Sequence, residues 1–440
     1  MQQVTVHHLG PIIEMQVDIN KINVLIGEQA VGKSTLCKAI YFFRSIKNEI
    51  KAYLGEISVT QKDFFFPHDL NKPIKDMFIE LFGYSWDLDS RLYMKYQFSV
   101  DIWIEVKLAS SATCDRQYIQ LEYSPELRER IQKYGENIVQ NRLVQREIEL
   151  NLQDSLDERL RNRREIEKNI NDIFKDYAET YYIPAGRSLL TLMTNQKTKL
   201  DYASMDLVNR RFMQLIESVQ AMFDNGITEA HGHYPNDRED CDVKKIASSM
   251  LNDLKGEYYY KNGKEYLLLN NKRKVNINFA SSGQQELLWL YNQLYILLLR
   301  RENAFVIIEE PEAHLYPSLQ KEVMDFIVQF AYLNNSTVYV TTHSPYLLVE
   351  ANTLYYAGRV YEKASSQVEE IMGEWHCILP RELSAYKLYR NKKEDKSEIE
   401  NLLDTEIDEL KTELIDDISN KINENYTALY YLEEELNAAR

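Results

Sequence analysis

The 440-residue sequence has few cysteines and no long apolar run, and each absence excludes a class of protein. Its four cysteines are scattered without the paired spacing of a zinc site or a disulfide framework, so we expect reduced thiols. No apolar run approaches the ~20 residues that a membrane-spanning helix needs. The N-terminus, MQQVTVHHLG, lacks the charged-then-apolar layout of a secretion signal. We therefore expect a cytoplasmic protein with no membrane partner.

An excess of positive charge is also missing. The net charge of −16 argues against a globally basic coat for nucleic acid, although it does not exclude a local basic groove. A hydrophobic content of 44% and a charged content of 27% are typical of a globular protein. The chain is long enough for one large domain with an insertion, or for two domains that each bury a core.

The segment GEQAVGKST matches the pattern G-x-x-x-x-G-K-[ST] and lies between an apolar strand and a predicted helix, as a P-loop requires. Gly27 and Gly32 would let the backbone curl so that its N–H groups face the phosphates of a nucleotide. Lys33 would reach the β- and γ-phosphates, Ser34 would offer its hydroxyl to Mg²⁺, and the helix N-terminus would add partial positive charge. The predicted nucleotide-binding residues are Gly27, Glu28, Gln29, Ala30, Val31, Gly32, Lys33, Ser34 and Thr35.

Two further predicted strands end in polar residues that suit the same chemistry. In FVIIEEPEAHLYP, Glu309 would hold Mg²⁺ directly or through water, and Glu310 would act as general base on the attacking water. Because adjacent side chains leave a strand end in different directions, one can face the metal while the other faces the γ-phosphate. In VYVTTHS, His343 would sense the γ-phosphate and orient the water. His314 would either help a subunit contact or cap a turn.

The segment ASSGQQE supplies a second predicted phosphate-binding loop, because a serine hydroxyl and free N–H groups stand at the start of a helix. It resembles the signature loop of ABC-type ATPases. In that arrangement the P-loop and the signature of one protomer face opposite ways, so the resemblance implies two copies that pair head to tail around ATP. The signature residues that would contact the ATP of the second copy are Ser281, Ser282, Gly283 and Gln284.

Together, GEQAVGKST, SSGQQE, IIEEPEAHLYP and TTHSP resemble the ABC-type ATPases of the overcoming-lysogenization-defect (OLD) class, which are AAA proteins of bacterial anti-phage systems. Tyr316 is a departure, since typical members have histidine there. The resemblance implies an α/β P-loop NTPase with a two-lobe head that hydrolyses ATP with Mg²⁺. Many members continue into a Toprim nuclease, but the remaining sequence lacks the glutamate-then-paired-aspartate pattern of that domain. The resemblance therefore implies a separately encoded effector, such as a Toprim or HNH nuclease, as in the PARIS and Septu systems.

Composition divides the chain into four predicted segments. Residues 1–124 and 179–390 carry the motifs and would form the ATPase lobes. Residues 125–178 are almost free of glycine and proline and dense in charge, which predicts a helical insertion. Residues 391–440 are acidic, and their apolar residues recur every three or four positions, which predicts a helical tail. The apolar stripe of the tail consists of Ile399, Leu403, Ile407, Leu410, Leu414, Ile418 and Ile422.

Local patterns predict particular strands and one turn. The runs at 4–10, 21–27, 94–107, 304–310 and 336–344 are apolar or rich in β-branched residues, which favours strands. Short apolar runs separated by helices indicate a buried, largely parallel sheet. Asn262-Gly263 between two strand-like runs predicts a tight hairpin.

For several other polar residues the sequence allows more than one role. Arg187 in YIPAGRSLL would contact phosphate or form an ordinary salt bridge, and Gln97 is considered for the glutamine of the Q-loop. His231, His233 and Cys241 fit a plain polar loop better than a metal site, because no second pair completes one. Two basic patches could contact nucleic acid, although a solvated surface is the more common role. They are Arg159, Arg161, Arg163, Arg164 and Lys168, and Lys272, Arg273 and Lys274.

Three functions from different classes fit these motifs. The chain is a switch ATPase that senses phage or damaged nucleic acid and controls a separate effector, an SMC-type ATPase that acts directly on DNA, or the motor subunit of a transporter. The helical insertion and EEPEAHLYP do not resemble transport cassettes, which disfavours the third. Salt-sensitive binding to duplex ends would favour the second over the first.

Overall fold

Strands and helices alternate along the chain, as expected of an α/β protein. The computed structural model describes residues 2–60, 62–83, 91–110, 117–148, 156–194, 205–230, 241–270, 272–373, 377–391, 396–404, 409–411, 423–427 and 429. The strands are β1 (Gln2–Leu9), β2 (Ile12–Ile19), β3 (Ile22–Gly27), β4 (Tyr93–Gln97), β5 (Trp103–Ser110), β6 (Gln117–Tyr123), β7 (Glu179–Ile183), β8 (Gly256–Lys261), β9 (Lys264–Leu269), β10 (Lys274–Asn276), β11 (Ala304–Glu309), β12 (Thr337–Thr342), β13 (Leu383–Asn391), β14 (Lys396–Asn401), β15 (Leu403–Asp404) and β16 (Glu409–Leu410). The helices are α1 (Lys33–Val59), α2 (His68–Phe82), α3 (Pro125–Ile148), α4 (Leu156–Phe174), α5 (Arg187–Thr194), α6 (Leu207–Val219), α7 (Ile227–Ala230), α8 (Cys241–Leu254), α9 (Ser282–Arg300), α10 (Pro317–Leu333) and α11 (Pro345–Met372).

One 11-stranded sheet organises the described residues, in the order β6-β5-β4-β1-β2-β14-β13-β3-β12-β11-β7. Strands β13, β3, β12, β11 and β7 run parallel to one another. Strands β6, β5, β4, β1 and β2 are joined in antiparallel pairs. The central parallel strands are apolar on both faces because helices cover both sides of that half of the sheet. The predicted α/β class is confirmed, but the sheet is mixed rather than largely parallel, because only the half that carries the motifs is a run of parallel strands.

The hydrogen-bond register brings the ends of three parallel strands to the same edge of the sheet. Thr342 of β12 pairs with Ile26 of β3, and Glu309 of β11 pairs with Thr341. The loops that follow β3, β11 and β12 therefore meet at the carboxyl edge. Ligands of open α/β sheets bind at this edge, so the three motifs lie where a nucleotide site is expected.

The sheet separates two hydrophobic cores, and alternate residues of its central strands enter one or the other. In β11, Val306 and Ile308 face a core that includes α6, α8, α9 and α10, whereas Phe305 and Ile307 face a core that includes α1, α2, α3 and α4. Helix α9 is buried from Gln285 to Leu299, because it is apolar around most of its circumference. The helix that follows the signature loop is thus part of the interior.

The predicted helical insertion is present as α3 and α4, and both helices pack on the body of the protein beside α1. Ile131 of α3 and Ile170 of α4 are fully buried in the core that contains α1. Just after α4, the carboxylate of Asp176 accepts hydrogen bonds from Arg44 (2.9 Å) and Lys47 (3.1 Å) of α1, and all three residues are buried. Buried charges are stable only when they are paired, so these three residues must stay in contact. The network therefore holds the end of the insertion against the helix that begins at the P-loop.

The predicted Asn-Gly hairpin is confirmed, whereas one predicted strand is in fact two strands. Asn262 and Gly263 have positive φ values of 53° and 72° and join β8 to β9, as an Asn-Gly hairpin requires. The run at 94–107 is not a single strand, because β4 and β5 pair antiparallel across a turn at residues 98–102. Alternating apolar residues predict strand type but do not show where the strand reverses.

The prediction of a helical tail is wrong for residues 396–404 and 409–410. Strand β14 lies between β13 and β2, and β15 pairs with β16. Ile399 pairs with Leu388, and Leu402 and Leu410 are buried in a core. Spacing of three or four residues does not determine a helix when the apolar side chains find partners on distant strands. Residues 423–427 are helical, whereas Ile407, Leu414, Ile418 and Ile422 lie outside the described residues.

We predict that Leu402→Ala lowers the free energy of unfolding by about 2–5 kcal/mol, because it removes a fully buried side chain between the tail and the body. Leu429→Ala is the matched control, since 65% of that residue is exposed and its truncation should cost less than about 0.5 kcal/mol. Chemical denaturation of both variants checks the difference. Equal effects of the two substitutions would contradict the packing of the tail.

Candidate functional site

The P-loop joins β3 to α1 through a tight turn that two glycines permit. Gly32 has a φ of 102°, which favours glycine, and a Cβ there would lie 2.8 Å from Cγ1 of Ile12. A Cβ at Gly27 would lie 2.2 Å from the carbonyl oxygen of Leu388. Close packing against the β1–β2 turn and β13 therefore requires both glycines. The exposed residues of the loop are Glu28, Gln29, Ala30 and Ser34.

The ammonium group of Lys33 lies at the centre of the site. Its Nζ donates to the carbonyl oxygens of Gly27 (2.8 Å) and Glu28 (2.7 Å) and lies 3.1 Å from Nε2 of His343. Burial lowers the pKa of Lys33 below its ordinary value, and the nearby carboxylates, Glu310 first among them, partly oppose this shift. The lysine of the P-loop and the histidine after β12 are therefore in contact.

Glu309 and Glu310 point in different directions from the end of β11. Glu309 is 7% exposed, its Oε2 accepts a hydrogen bond from the N–H of Ala185 (3.4 Å), and its Oε1 accepts none. Glu310 has a left-handed φ of 43°, and its Oε1 lies 3.2 Å from Nε2 of His343. Lys33, His343 and Glu310 thus form one polar cluster, which we call the catalytic cluster after the role that the sequence predicts for its residues.

Glu312 accepts hydrogen bonds at the end of β12, beside the His343 side chain, and sequence reasoning assigned it no role. Its Oε1 accepts hydrogen bonds from the hydroxyl of Thr342 and from the backbone N–H of His343, both at 2.7 Å. Only 8% of Glu312 is exposed, and its Oε2 accepts no hydrogen bond. The available signal was a third acidic residue immediately after a buried strand, in EEPEAH. Such a carboxylate can link the turn after β11 to the turn after β12.

The signature loop forms a well-capped helix start. Ser281 caps α9, its Oγ accepts from the N–H of Gln284 (3.3 Å), and the Gln284 side chain accepts from the N–H of Ser281 (3.1 Å). Ser281 and Ser282 are exposed. A Cβ at Gly283 would lie 3.1 Å from the carbonyl oxygen of His314, so the loop packs against the turn after β11. Ser281 and Ser282 thus place the start of α9 at the surface, although the N–H of Gln284 is already capped by Ser281.

The P-loop and the signature loop are not joined by a hydrogen bond or an ion pair within the described part of one chain. Among the described residues, no hydrogen bond or ion pair links 281–284 to the P-loop at 27–35. The side chain of Gln284 instead donates to the carbonyl oxygen of Leu254 (2.7 Å). The sequence-predicted residues therefore fall into two groups, one around Lys33 and the other at the start of α9.

The structure supports neither a phosphate contact for Arg187 nor a Q-loop position for Gln97. Arg187 is fully buried and lies 3.4 Å from the carboxylate of Glu286, which supports the salt-bridge alternative. Gln97 ends β4 and pairs with Gln3 at the start of β1. Because β4 runs opposite to β3, the end of β4 lies at the edge of the sheet away from the P-loop. The assignment of Gln97 to the Q-loop is therefore wrong.

The remaining candidates lie apart from the catalytic cluster or outside the described residues. His314 is exposed in the turn after β11, with a φ of 60°. Residues 231–240, which include His231 and His233, and the side chains of Arg159 and Cys241 are not described. The exposed basic residues are Arg161, Arg163, Arg164 and Lys168 on α4, and Lys272, Arg273 and Lys274 near β10. In the described ranges, no group of three His, Cys, Asp or Glu side chains could hold a metal ion, and no helix is long and apolar enough to cross a membrane.

The sequence of residues 1–348 matches the profile of a family described as the AAA ATPase domain. The chain belongs to this family. Membership makes the chain an ATP-binding AAA ATPase in general terms, in agreement with the P-loop and the acidic pair at the end of β11. No curated protein sequence matches the chain.

Three solved structures that resemble this AAA ATPase are heads of SMC proteins. The SMC head bound to the C-winged helix domain of ScpA has 12% identity and a TM-score of 0.42, covering 91% of this chain and 96% of that chain. The SMC head domain from Thermotoga maritima has 10% identity and a TM-score of 0.38, covering 91% and 97%. An SMC head with an extended coiled coil, bound to the C-terminal domain of ScpA from Pyrococcus furiosus, has 11% identity and a TM-score of 0.39, covering 96% and 100%. TM-scores below 0.5 support no conclusion about function.

We predict that Glu312→Ala reduces the rate of ATP hydrolysis by roughly 10- to 100-fold, because Thr342 and His343 lose their buried acceptor and the histidine shifts. Glu322→Ala is the control, since Glu322 is exposed on α10. Steady-state ATPase assays and thermal unfolding of both variants check this. A Glu312→Ala rate within about twofold of the control would show that Glu312 does not position His343.

Proposed function

We propose that this AAA ATPase hydrolyses ATP at the catalytic cluster, and that two copies pair head to tail to complete each site. The observation that carries the proposal is the chain of contacts from Lys33 to His343 (3.1 Å) and from His343 to Glu310 (3.2 Å). A P-loop lysine, a carboxylate suited to general-base catalysis and a histidine are thereby within hydrogen-bond reach of one another.

The residues of the cluster have separate roles in this proposal. The loop from Gly27 to Thr35 would hold the phosphates through its backbone N–H groups and the N-terminus of α1. Lys33 would exchange its carbonyl partners for phosphate oxygens, which supplies anionic partners to a buried cation. Glu310 would accept the proton of the attacking water, and His343 would keep that water aligned with the γ-phosphate.

Mg²⁺ fits the side chains around Lys33. Ser34 is exposed at the first turn of α1, and Glu309 keeps a buried carboxylate oxygen that accepts no hydrogen bond. Oxygen donors suit Mg²⁺, which often takes one or two protein ligands and completes its shell with phosphate and water oxygens. When bound, Mg²⁺ would neutralise charge on the phosphates. Ser34 and Glu309 are the residues that would hold it.

The exposed signature loop is the basis for proposing a second copy. Ser281 and Ser282 are exposed at the start of a buried helix, and the loop makes no hydrogen bond to the P-loop of its own chain. A helix N-terminus with free N–H groups favours an anion. The ATP of another copy is the anion that we propose, and Gly283 and Gln284 complete the loop that would contact it.

The wider role that we propose is that of a cytoplasmic switch ATPase of the OLD class in anti-phage defence, acting through a separate Toprim or HNH nuclease. The motif set supports this role, and the segments 1–124, 125–178, 179–390 and 391–440 are its proposed architecture. Cells that carry this gene with a neighbouring nuclease gene should restrict phage plating, and deletion of either gene should abolish restriction. Full restriction by the ATPase gene alone would contradict a separate effector.

Direct action on DNA is the alternative, and the exposed arginines of α4 favour it. Arg161, Arg163 and Arg164 are exposed on one short stretch of α4, although the net charge of the whole chain is −16. If they contact phosphates, their replacement by glutamate should weaken duplex binding and flatten its salt dependence. Titrations of labelled duplex at several salt concentrations measure both effects, and an unchanged slope would exclude this patch.

We predict different losses for the two central variants. Lys33→Ala should weaken ATP binding by at least about 10-fold, because a buried charge-assisted phosphate contact is lost. Glu310→Gln keeps the size of the side chain, so ATP affinity should stay within about threefold while hydrolysis falls roughly 10²- to 10⁴-fold. Calorimetric binding and single-turnover hydrolysis measure these quantities. Equal ATP affinity in both variants would contradict the assigned roles.

A further inference from the structure

Arg187 is a fully buried cation that joins three elements beside the catalytic cluster. Its Nε donates to the carbonyl oxygen of Glu286 (3.0 Å), and its Nη1 donates to the carbonyl oxygens of Pro184 (2.8 Å) and Glu309 (2.7 Å). Its Nη2 donates to the carbonyl oxygen of Glu310 (2.9 Å). The guanidinium therefore holds the backbone of the turn that carries the general-base candidate.

Glu286 completes the connection from the signature helix. It lies five residues after Ser281 on α9, and its carboxylate is fully buried. That carboxylate accepts hydrogen bonds from the backbone N–H groups of Arg187 (3.1 Å) and Ser188 (3.0 Å), and Oε2 lies 3.4 Å from Nη2 of Arg187. The start of α9, the start of α5 and the turn after β11 are thus joined by one ion pair.

We propose that Arg187 is a positioning residue that couples the signature helix to the hydrolytic turn of the same chain. The proposal rests on the head-to-tail dimer of the proposed function. When the exposed start of α9 contacts the nucleotide of the second copy, a shift of α9 moves Glu286, and Glu286 moves the guanidinium that holds Glu310. Hydrolysis at one site therefore depends on the engagement of the signature loop of the same chain.

The chemistry of this connection suits the transmission of a small displacement. Glu310 has a left-handed φ of 43°, a conformation that a non-glycine residue keeps only when its surroundings hold it there. A planar guanidinium presents its donors in a rigid fork that fixes the directions of several carbonyl oxygens, whereas the three donors of a lysine ammonium rotate on a flexible stem. Because Arg187 is fully buried, water does not replace its partners.

A second buried ion pair provides a matched control. Arg44 is also fully buried, and its Nη2 lies 2.9 Å from a carboxylate oxygen of Asp176. It lies on α1, it donates to Gln2, Tyr96, Asp176, Ala178 and Thr180, and its guanidinium lies 4.0 Å over the ring of Phe305 in β11, but it makes no described hydrogen bond to the signature helix or to the turn after β11. Arg44→Lys and Arg187→Lys therefore both disturb a buried arginine, but only the second disturbs the proposed coupling.

The test compares the two variants in steady-state ATPase assays at several protein concentrations. For the wild type, the rate per chain should rise with protein concentration as dimers form. For Arg187→Lys, we expect ATP affinity within about threefold of the wild type, a turnover number reduced roughly 10- to 100-fold, and no rise of the rate with concentration. Arg44→Lys should lower the thermal midpoint but keep the turnover number within about twofold and keep the rise.

Two further measurements separate coupling from folding and from dimer formation. Light scattering of Arg187→Lys in the Glu310→Gln background should still detect an ATP-dependent dimer. Glu310→Gln alone is measured beside it, and if that variant also stays monomeric, the head-to-tail dimer fails rather than the coupling. If Arg187→Lys does not fold, Glu286→Gln replaces it, since glutamine keeps an acceptor for one of the two N–H groups and removes the charge that pairs with Arg187. The proposal is overturned if the rate of the folded variant still rises with concentration as in the wild type, or if Arg44→Lys loses turnover equally.

Discussion

The parallel register of β3, β12 and β11 is the constraint on which the catalytic cluster depends. Thr342 opposite Ile26 and Glu309 opposite Thr341 fix the ends of the three strands to within one residue of one another. A slip by one residue would turn every side chain of a strand to the other face. The two cores exclude such a slip, because β11 sends alternate residues into each of them. Hydrophobic packing in the two cores thereby sets the distances between the polar residues at the ends of these strands.

Residues predicted from the sequence are those whose neighbours in sequence are also their neighbours in space. The P-loop, the Asn262-Gly263 hairpin and the acidic pair after β11 belong to this class, since a turn or a strand end decides each one. The tail was predicted as a helix because its apolar spacing was considered alone, whereas Ile399 and Leu402 find their partners in β13 and the core. A spacing pattern contains no information about a partner strand that is already present in the sheet.

The parts of the site that the sequence leaves unassigned or undecided are held by long-range hydrogen bonds. Glu312, to which the sequence assigns no role, contacts residues about thirty positions away. Arg187, for which the sequence leaves a phosphate contact and a salt bridge open, contacts residues about one hundred positions away in α9 and more than one hundred away at the end of β11. Neither set of contacts corresponds to a local sequence motif. Gln97 is an error of the other kind, in which a residue is given a role that the structure does not support. A glutamine at a strand end indicates a Q-loop only if that end lies at the P-loop edge of the sheet, so the direction of the strand must be known. Strand direction in a mixed sheet follows from pairing, which a single sequence does not display.

Completion of the site by a second copy is the central claim, and the mass of the Glu310→Gln protein with ATP and Mg²⁺ tests it most directly. We predict about twice the chain mass of 52.0 kDa by light scattering. Glu310→Gln/Ser281→Arg should bind ATP but stay at the mass of one chain, because the added cation would enter the phosphate site of the partner. Ser218→Arg, at another exposed serine on α6, is the control and should dimerise. Dimerisation of the Ser281→Arg protein as readily as the control would contradict the claim.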